Sequence, residues 1–210
     1  MGVDRLLPRS FYARSTLVVA RALLGKVLVH RTREGVASGV IVETEAYIGE
    51  DDPACHASAG RTPRNEPLYG PPGYAYVYLN YGVHYLVNAV TEADGHPSAV
   101  LIRALEPLEG LPLMHRRRSA SSRVVADVAL CRGPGNLTKA LGISVAQNRA
   151  DLAGRDAAGR ARAPLRVEDR GIRVGRVATG SRIGIREGLD RPWRYWVEAS
   201  RAVSAHRRCQ

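Results

Sequence analysis

The stretch "ASGVIVETEAYI", residues 37–48, places two acidic residues inside an otherwise apolar segment. Side chains alternate between the two faces of a strand, so this pattern predicts a β-strand with Ile41, Glu43, Glu45 and Tyr47 on one face. The opposite face is apolar apart from Thr44 and is typical of core. Carboxylates in the middle of a strand, rather than at its end, indicate that this face does more than contact solvent.

The segments on either side predict further strands and a few helices. "RSTLVVARALLGK", residues 14–26, is typical of a helix that starts at Ser15 or Thr16 and stops at Gly25. "YAYVYLNYGVHYLVNAVT", residues 74–91, alternates on both sides of Asn80-Tyr81-Gly82 and predicts a β-hairpin. We therefore expect an α/β fold of the α+β type, in one domain over residues 1–210. The remaining predictions are strands at 26–32, 99–105, 171–177, 181–187 and 193–200, two helices around Gly133-Pro134-Gly135 with Asn136 capping the second, and a low-complexity surface loop at 153–163.

The composition limits the class of protein. Hydrophobic residues make up 45% of the chain, which is enough for a core. No apolar run approaches the roughly 20 residues that cross a bilayer, and the N-terminal stretch lacks the features of a secretory signal. A cytoplasmic protein without membrane association is therefore expected. Cys55, Cys131 and Cys209 lack C-x-x-C spacing, which favours free thiols over a disulfide framework or a zinc site, and no metal or cofactor is expected.

The net charge of +11 and the pI of 10.2 favour a polyanionic partner. All but two of the 31 basic residues are arginine, and GC-rich coding alone could enrich a chain in arginine. Such a bias does not explain why bases outnumber the 20 acids. Nucleic acid is therefore the favoured partner.

Two acids on the first strand have different interpretations. Glu43 is compatible with an exposed acid on the wet face of an edge strand, or with a structural ion pair. Glu45 has aromatic neighbours on its face of an apolar strand, so we expect it to be partly desolvated. A desolvated carboxylate is a stronger base, which suits it to take a proton from water.

The candidate aromatic residues on and after this strand are tyrosines and a histidine, whose rings carry a polar group at one edge. Tyr47, His56, Tyr76 and Tyr78 are compatible with half-buried packing, or with rings that stack on a flat ligand. Tyr81 lies at the predicted hairpin tip, where a side chain faces solvent. It is therefore predicted either to enter a base stack as a wedge or to fold back onto the sheet.

A long loop at residues 54–73 and a glycine-rich helix start are candidate phosphate contacts. The loop contains "RTPRN", which offers guanidinium, hydroxyl and amide donors on a backbone stiffened by proline. The glycines precede a helix N-terminus, whose free N–H groups attract anions. The alternative is that these arginines are ordinary solvated surface residues that contact no phosphate. The predicted contacts are Arg61, Thr62, Arg64, Asn65, Gly133 and Gly135.

Several of these motifs, in this order, resemble the alkyladenine (3-methyladenine) DNA glycosylase family. The resemblance rests on "VETEAY" with a histidine nine residues after Tyr47, and on "TPRN", "YVYLNYG", "HYLVN", "LIRALEPLEG", "GPGNLTKALGI" and "RIGI". It extends from the first helix to about Val197. It implies a curved antiparallel sheet with surrounding helices and a protruding hairpin that enters the minor groove of DNA.

The resemblance also implies an activity and its residues. A monofunctional glycosylase of this family flips an alkylated or deaminated purine, such as 3-methyladenine or hypoxanthine, out of double-stranded DNA and leaves an abasic site. Glu45 would activate water, and Arg103 and the main-chain carbonyl of Ile183 would hold that water. The other implied roles are base stacking by Tyr47, His56 and Tyr78, exclusion of guanine by Asn88, and filling of the duplex gap by Tyr81. The protein would act as a monomer, without a cofactor, in a cytoplasm of bacterial type.

Two positions, Asn80 in the hairpin and Leu68 in the loop, depart from the expected pattern and could alter insertion into DNA. Two other functions stay open on the sequence. One is a non-catalytic protein that binds distorted nucleic acid, for which a half-buried Glu45 has no use. The other is a glycosidase that acts on RNA or free nucleosides, for which a wedge at Tyr81 has no use, since a free nucleoside has no base stack to fill.

Overall fold

The computed structural model describes residues 5–119, 125–154 and 163–204. The predicted loop at 153–163 lies largely outside these residues, as does Cys209. The helices are α1 (Arg9–Tyr12), α2 (Thr16–Ala22), α3 (Leu111–Arg118) and α4 (Pro134–Leu141), with 3-10 turns at His56–Ala59, Glu66–Tyr69, Asp127–Ala129 and Val145–Gln147. The strands are β1 (Arg5–Leu6), β2 (Val27–Thr32), β3 (Gly35–Ile48), β4 (Ala75–Asn80), β5 (His84–Val90), β6 (Ser98–Glu109), β7 (Leu165–Asp169), β8 (Val177–Gly180) and β9 (Arg194–Val197).

Within the described residues, nine strands form one curled antiparallel sheet. Seven follow the order β1-β7-β2-β3-β6-β5-β4, while β9 pairs with β3, and β8 pairs with β9. The predicted α/β fold with a curved antiparallel sheet is confirmed. The two longest strands, β3 and β6, pair along most of their length at its centre. On its other edge β3 pairs first with β2 and then, at residues 43–45, with β9. Both edges of β3 are therefore covered where the two glutamates lie.

Two opposed β-bulges interrupt the β3–β6 ladder next to these glutamates. Ile41 pairs with Leu105 and Glu43 with Ala104, which leaves Val42 as an extra residue on β3. Thr44 then pairs with Ile102, which leaves Arg103 as an extra residue on β6. Bulges often redirect a side chain beside an active site. The second bulge places Arg103 opposite the acids of β3.

The core lies between the sheet and the helices that pack on it, mainly α2 and α4. Helix α2 has Ser15 as its N-cap, and the chain leaves it through Gly25, which has a φ of +83°. This positive φ agrees with the predicted stop, because glycine adopts it at little cost. No helix among the described residues is long and apolar enough to span a membrane. Cys55 and Cys131 are buried free thiols.

The predicted cap of α4 was wrong. Gly133, not Asn136, is the N-cap, and Pro134 is the first helical residue. Proline suits that position because its φ is already helical and its missing N–H needs no partner. The amide of Asn136, one turn into the helix, donates to the carbonyl of Arg132 over 2.6 Å.

The C-terminal strands were only partly predicted. Of the stretch 171–177 only Val177 is in a strand, β8, and residues 181–187 form no strand. The alternation in "RIGI" imitates a strand, but the Ile183 N–H donates to the side chain of Glu45. The last predicted strand, at 193–200, is present as β9. Strand β7 was missed because it follows the low-complexity stretch without a turn signal.

Candidate active site

Glu45 is fully buried and accepts three hydrogen bonds. Its Oε2 atom accepts from the Tyr47 hydroxyl over 2.9 Å and from the Arg103 guanidinium over 3.0 Å. Its Oε1 atom accepts from the main-chain N–H of Ile183 over 2.7 Å. A carboxylate offers about four lone-pair positions, so about one remains for a further donor. The sequence predicted partial desolvation, and the structure shows complete burial.

Arg103 bridges the two acids of β3. Its Nε atom donates to Glu43 over 3.2 Å, while its terminal NH1 group donates to Glu45. Burial disfavours the charged guanidinium, but the charges of Glu45 and Glu43 outweigh burial and raise the pKa of Arg103. Arg103 therefore stays cationic. Of the two interpretations of Glu43, the structure supports the ion pair, because this side chain is fully buried.

Ile183 is held in place by its neighbour Arg182. The Arg182 guanidinium donates to both oxygens of Asp52, over 2.6 and 2.8 Å, and to the Ala46 carbonyl over 3.0 Å. It also lies 4.7 Å from the centre of the Tyr47 ring. Burial opposes ionisation of Asp52, yet the hydrogen bonds and the charge of Arg182 leave its pKa lowered. Arg182 thus joins the "RIGI" segment to β3 and to the loop that follows it.

The three groups that donate to Glu45 all line a cavity of about 480 Å³. The carboxylate therefore lies directly behind the cavity wall. Burial, followed by the adjacent charge of Glu45, raises the pKa of Tyr47 well above its usual value, so its phenol keeps its proton. The other residues that line the cavity include Leu68, Tyr76, Leu86, Ala99, Leu101 and Ile185, together with the predicted residues His56, Tyr78, Tyr81, Asn88, Gly133 and Gly135.

Three aromatic rings form a cluster on the cavity wall. The ring centroids of His56 and Tyr78 are 4.5 Å apart, and those of Tyr76 and Tyr78 are 5.1 Å apart. The Tyr76 hydroxyl lies 2.9 Å from Nδ1 of His56. Burial, and then the charge of Arg64, lowers the pKa of His56, while burial raises the pKa of Tyr76 to about 12. At neutral pH these rings are uncharged.

Asn88 and Leu68 lie on the cavity wall beside this cluster. The Asn88 amide is almost fully buried and donates to the Tyr76 carbonyl over 3.0 Å, which fixes its orientation. Leu68 is 3% exposed and packs with Cys55 and Tyr76 in a small core beneath the loop. The residue that departs from the expected loop pattern therefore faces the cavity and is not on the outer surface.

The hairpin of β4 and β5 projects Tyr81 into solvent. Tyr81 and Gly82 have φ values of 48° and 69°, and Val83 N–H donates to the Asn80 carbonyl, which describes a tight hairpin turn. Tyr81 is 89% exposed and Val83 is 70% exposed. The predicted hairpin is present, and Tyr81 does not fold back onto the sheet. Asn80 also lines the cavity, near its mouth.

The residues predicted to contact phosphate in the loop differ in how free their side chains are. Arg61 is exposed and forms an ion pair with Glu66, and Arg64 donates to the Leu79 carbonyl over 3.3 Å. Asn65 is buried, and its amide donates to the carbonyls of His56 and Gly60 and accepts from Thr62 N–H. Asn65 therefore holds the loop together. The phosphate contacts stay a prediction.

The N-terminus of α4 packs against the hairpin at the mouth of the cavity. Gly133 has a φ of +90°, a conformation that side chains disfavour. A Cβ atom on Gly135 would lie 2.6 Å from the ring of His84, so only glycine fits there. These two glycines bring the helix terminus to the cavity. A role for them in binding DNA stays a prediction.

Several residues of this site were not found by the sequence reasoning. Asp52, Arg182 and Arg194 were not singled out, because each acts through a partner far away in sequence. The only available signal was the position of Arg182 beside Ile183 in "RIGI". Buried arginines cannot be distinguished from surface arginines in a chain with this many of them.

The fold and this cavity agree with a family match over most of the chain. The model of the methylpurine-DNA glycosylase family matches residues 10–201. The chain belongs to this family, which confirms the resemblance seen in the sequence. It is accordingly a DNA glycosylase, a hydrolase of N-glycosyl bonds, and a DNA repair enzyme.

Individual relatives match over nearly their whole length. A protein from Methanocella arvoryzae is 47% identical over 202 residues, which cover 95% of this chain and 96% of the relative. One from Rhodopseudomonas palustris is 46% identical over 199 residues, covering 95% and 88%. One from Rubrobacter xylanophilus is 50% identical over 186 residues, covering 89% and 90%. The names of all three describe them provisionally as 3-methyladenine DNA glycosylases.

Proposed function

We propose that this protein flips alkylated or deaminated purines out of double-stranded DNA and hydrolyses their N-glycosidic bond with a water molecule activated by Glu45. The observation that carries the proposal is a buried carboxylate held by three donors, all of which line an aromatic cavity. The product is an abasic site. The enzyme acts as a monomer.

The cavity suits a base that has left the helix. A base inside the stack cannot be attacked, and damaged bases are flipped at least cost. Tyr47 stacks on one face of the flipped base, and His56 and Tyr78 on the other. Tyr81, on a stiff hairpin, fills the space that the base leaves in the duplex.

The hydrolysis uses Glu45 as general base. Water adds its oxygen to C1′ of the deoxyribose as the bond to the purine nitrogen breaks, the electron pair leaves with the base, and Glu45 takes the proton of the water. Arg103 and the main-chain carbonyl of Ile183 hold this water. The transition state resembles an oxocarbenium ion, as in other glycoside hydrolyses, and the negative charge of Glu45 stabilises it.

The side chains that line the cavity indicate which bases are substrates. Alkylation at N3 or N7 makes a purine cationic, and tyrosine faces attract a cation through cation–π interaction. 3-Methyladenine is therefore a substrate, and 7-methylguanine, which carries the exocyclic amino group of guanine, is to be tested beside the neutral bases hypoxanthine and ethenoadenine. The fixed amide of Asn88 excludes guanine by clashing with its exocyclic amino group.

Contacts to the DNA backbone surround the mouth of the cavity. Arg61, Thr62 and Arg64 lie in the loop near the hairpin, and Gly133 and Gly135 lie at the start of α4. Phosphate contacts such as these position the duplex without reading its sequence. This fits a repair enzyme, which must find damage in any sequence.

Product analysis tests this function. We expect the protein to release free purine from methylated duplex DNA, and to leave a hypoxanthine-containing strand that breaks only after alkali. Strand breakage without alkali would contradict the monofunctional reaction. No base released from either duplex, despite binding to DNA, would contradict glycosylase activity on these substrates.

A further inference from the structure

Behind the proposed general base lies a second buried acid, Glu43, that the proposed reaction does not use. Glu43 is fully buried and accepts from three sides. Its Oε1 atom accepts from Nε of Arg103 over 3.2 Å and from Nε of Arg194 over 2.6 Å. Its Oε2 atom accepts from the main-chain N–H of Ser204 over 2.8 Å. Hydrogen bonds and opposite charges of this kind are what a buried charge requires.

The network around Glu43 fixes one particular orientation of Arg103. The guanidinium gives its Nε–H to Glu43 and only its NH1 group to Glu45. A guanidinium released from Glu43 would favour a bidentate pair with Glu45, which is the preferred arrangement of arginine and carboxylate. That pair would occupy the lone-pair position of Glu45 that the water needs.

We propose that Glu43 is a positioning residue for base excision. It holds Arg103 by one end, so that Arg103 orients Glu45 through the other end and leaves Glu45 able to accept a proton from water. This inference rests on the proposed function. The family match and the names of the relatives assign no role to Glu43.

The C-terminal part of the chain takes part in this arrangement. Arg194 on β9 also donates to the Ser204 carbonyl over 3.3 Å, and its guanidinium lies 4.5 Å from the centre of the Trp196 ring. Ser204 therefore binds Glu43 through its N–H and Arg194 through its carbonyl. Since β9 pairs with β3 at Glu43 and Glu45, movement of the C-terminal segment would reach Arg103 through Glu43.

The variant Glu43→Gln removes the charge and keeps the shape. In single-turnover excision from hypoxanthine-containing duplex DNA we expect the rate to fall by roughly 10- to 100-fold, because small misplacements of catalytic groups have effects of that size. Binding to a duplex with an abasic analogue should stay at the wild-type level. Glu43→Asp, which keeps the charge, should recover part of the rate.

The pH–rate profile separates positioning from a purely structural role. The charged and titratable groups that face Glu45 among the described residues are Tyr47 on β3, Tyr78 on β4, Arg103 on β6 and Arg182 before Ile183, while Arg194 on β9 faces Glu43. Without Glu43, the charge of Arg103 acts on Glu45 alone. The acid limb of the profile should therefore move to lower pH in Glu43→Gln and return in Glu43→Asp.

Glu168→Gln is the matched control. Glu168 is also a buried acid between two arginines, Arg166 and Arg170, but it lies on β7, two strands away from β3. It should lose thermal stability as Glu43→Gln does, and keep the wild-type rate and pH profile. If Glu43→Gln does not fold, Ser204→Pro removes one donor to Glu43 and should slow excision several-fold.

The outcomes distinguish this inference from the function on which it rests. A folded Glu43→Gln protein with the wild-type rate and profile would overturn the role of Glu43, as would an unchanged rate in Ser204→Pro. In either case an active wild type and an inactive Glu45→Gln variant would leave the proposed function standing. An inactive wild type would instead refute the proposed function itself.

Discussion

At the scale of single residues, one oxygen of Glu45 accepts hydrogen bonds from both the Tyr47 hydroxyl and the Arg103 guanidinium. Tyr47 has two tasks, because its ring faces the cavity and its hydroxyl holds the carboxylate. The ring also rests against Arg182, which is fixed by Asp52. These tasks can be separated, since phenylalanine keeps the ring and removes the hydroxyl.

We predict that Tyr47→Phe slows single-turnover excision by about tenfold and leaves binding to abasic-analogue DNA unchanged. A hydrogen bond to a charged group contributes about 1.5–3 kcal/mol, and about 1.4 kcal/mol corresponds to a tenfold rate. Tyr69→Phe is the control, because the Tyr69 hydroxyl donates to Glu50 over 2.7 Å and its ring does not line the cavity. Equal rates in both variants would count against this role of the hydroxyl.

The buried ion pair between Asp52 and Arg182 leads to a prediction about the free energy of unfolding. The side chains of Asp52 and Arg182 are both fully buried, and Asp52→Asn would leave the guanidinium without its counter-ion. We expect the free energy of unfolding in urea to fall by about 3–5 kcal/mol. Asp51→Asn, at the exposed neighbouring position, should have almost no effect. A loss of less than about 1 kcal/mol in Asp52→Asn would contradict the importance of this pair.

At the scale of elements, the hairpin of β4 and β5 and the strand β3 were predictable from the sequence. The long-range contacts that bury Glu43 and position Arg103 were not. Alternating side chains and the Tyr81-Gly82 turn suffice for the hairpin. The burial of Glu43 depends on Arg194, which is 151 residues away. The bulge at Arg103 depends on the match between two strands. Neither leaves a local signal, so the sequence could not decide between an exposed acid and an ion pair.

The exposure of the hairpin tip leads to a prediction about DNA. Tyr81→Ser should leave thermal stability unchanged, because the side chain is 89% exposed. It should slow excision of hypoxanthine opposite thymine and have a smaller effect on hypoxanthine in a single-base bulge, where little stacking must be replaced. Val83→Ser, in the same turn, controls for a loss of apolar surface. An equal loss on both substrates would show that Tyr81 does not replace the base.

At the scale of the whole molecule, charge and burial decide how the protein responds to its solution. The net charge of +11 agrees with a DNA substrate, and the acids at the centre of the site are each matched by an arginine. The composition predicted the partner correctly. It could not predict that Arg103, Arg182 and Arg194 are buried cations, because composition does not distinguish the interior from the surface.

Two histidines, the buried His30 and the cavity-lining His56, predict the pH dependence of stability. Burial is the main cause that lowers the pKa of His30 and of His56 in the folded protein. The unfolded chain therefore binds more protons below about pH 6.5, and folding stability is lost as the pH falls through that value. We expect the free energy of unfolding to decrease from pH 7.5 to 5.5, and to decrease less in His30→Gln. An equal decrease in that variant would assign the effect to other groups.

The role of Glu45 as general base is tested most directly by the single-turnover excision rate of Glu45→Gln, measured beside its affinity for a duplex with an abasic analogue. Glutamine keeps the size of the side chain but cannot take a proton from water. We predict that the variant binds this duplex like the wild type and releases hypoxanthine and 3-methyladenine at least about 1,000-fold more slowly, within the range of losses for essential catalytic groups. If the variant releases these bases at the wild-type rate, Glu45 is not the general base, and the buried carboxylate serves the fold instead.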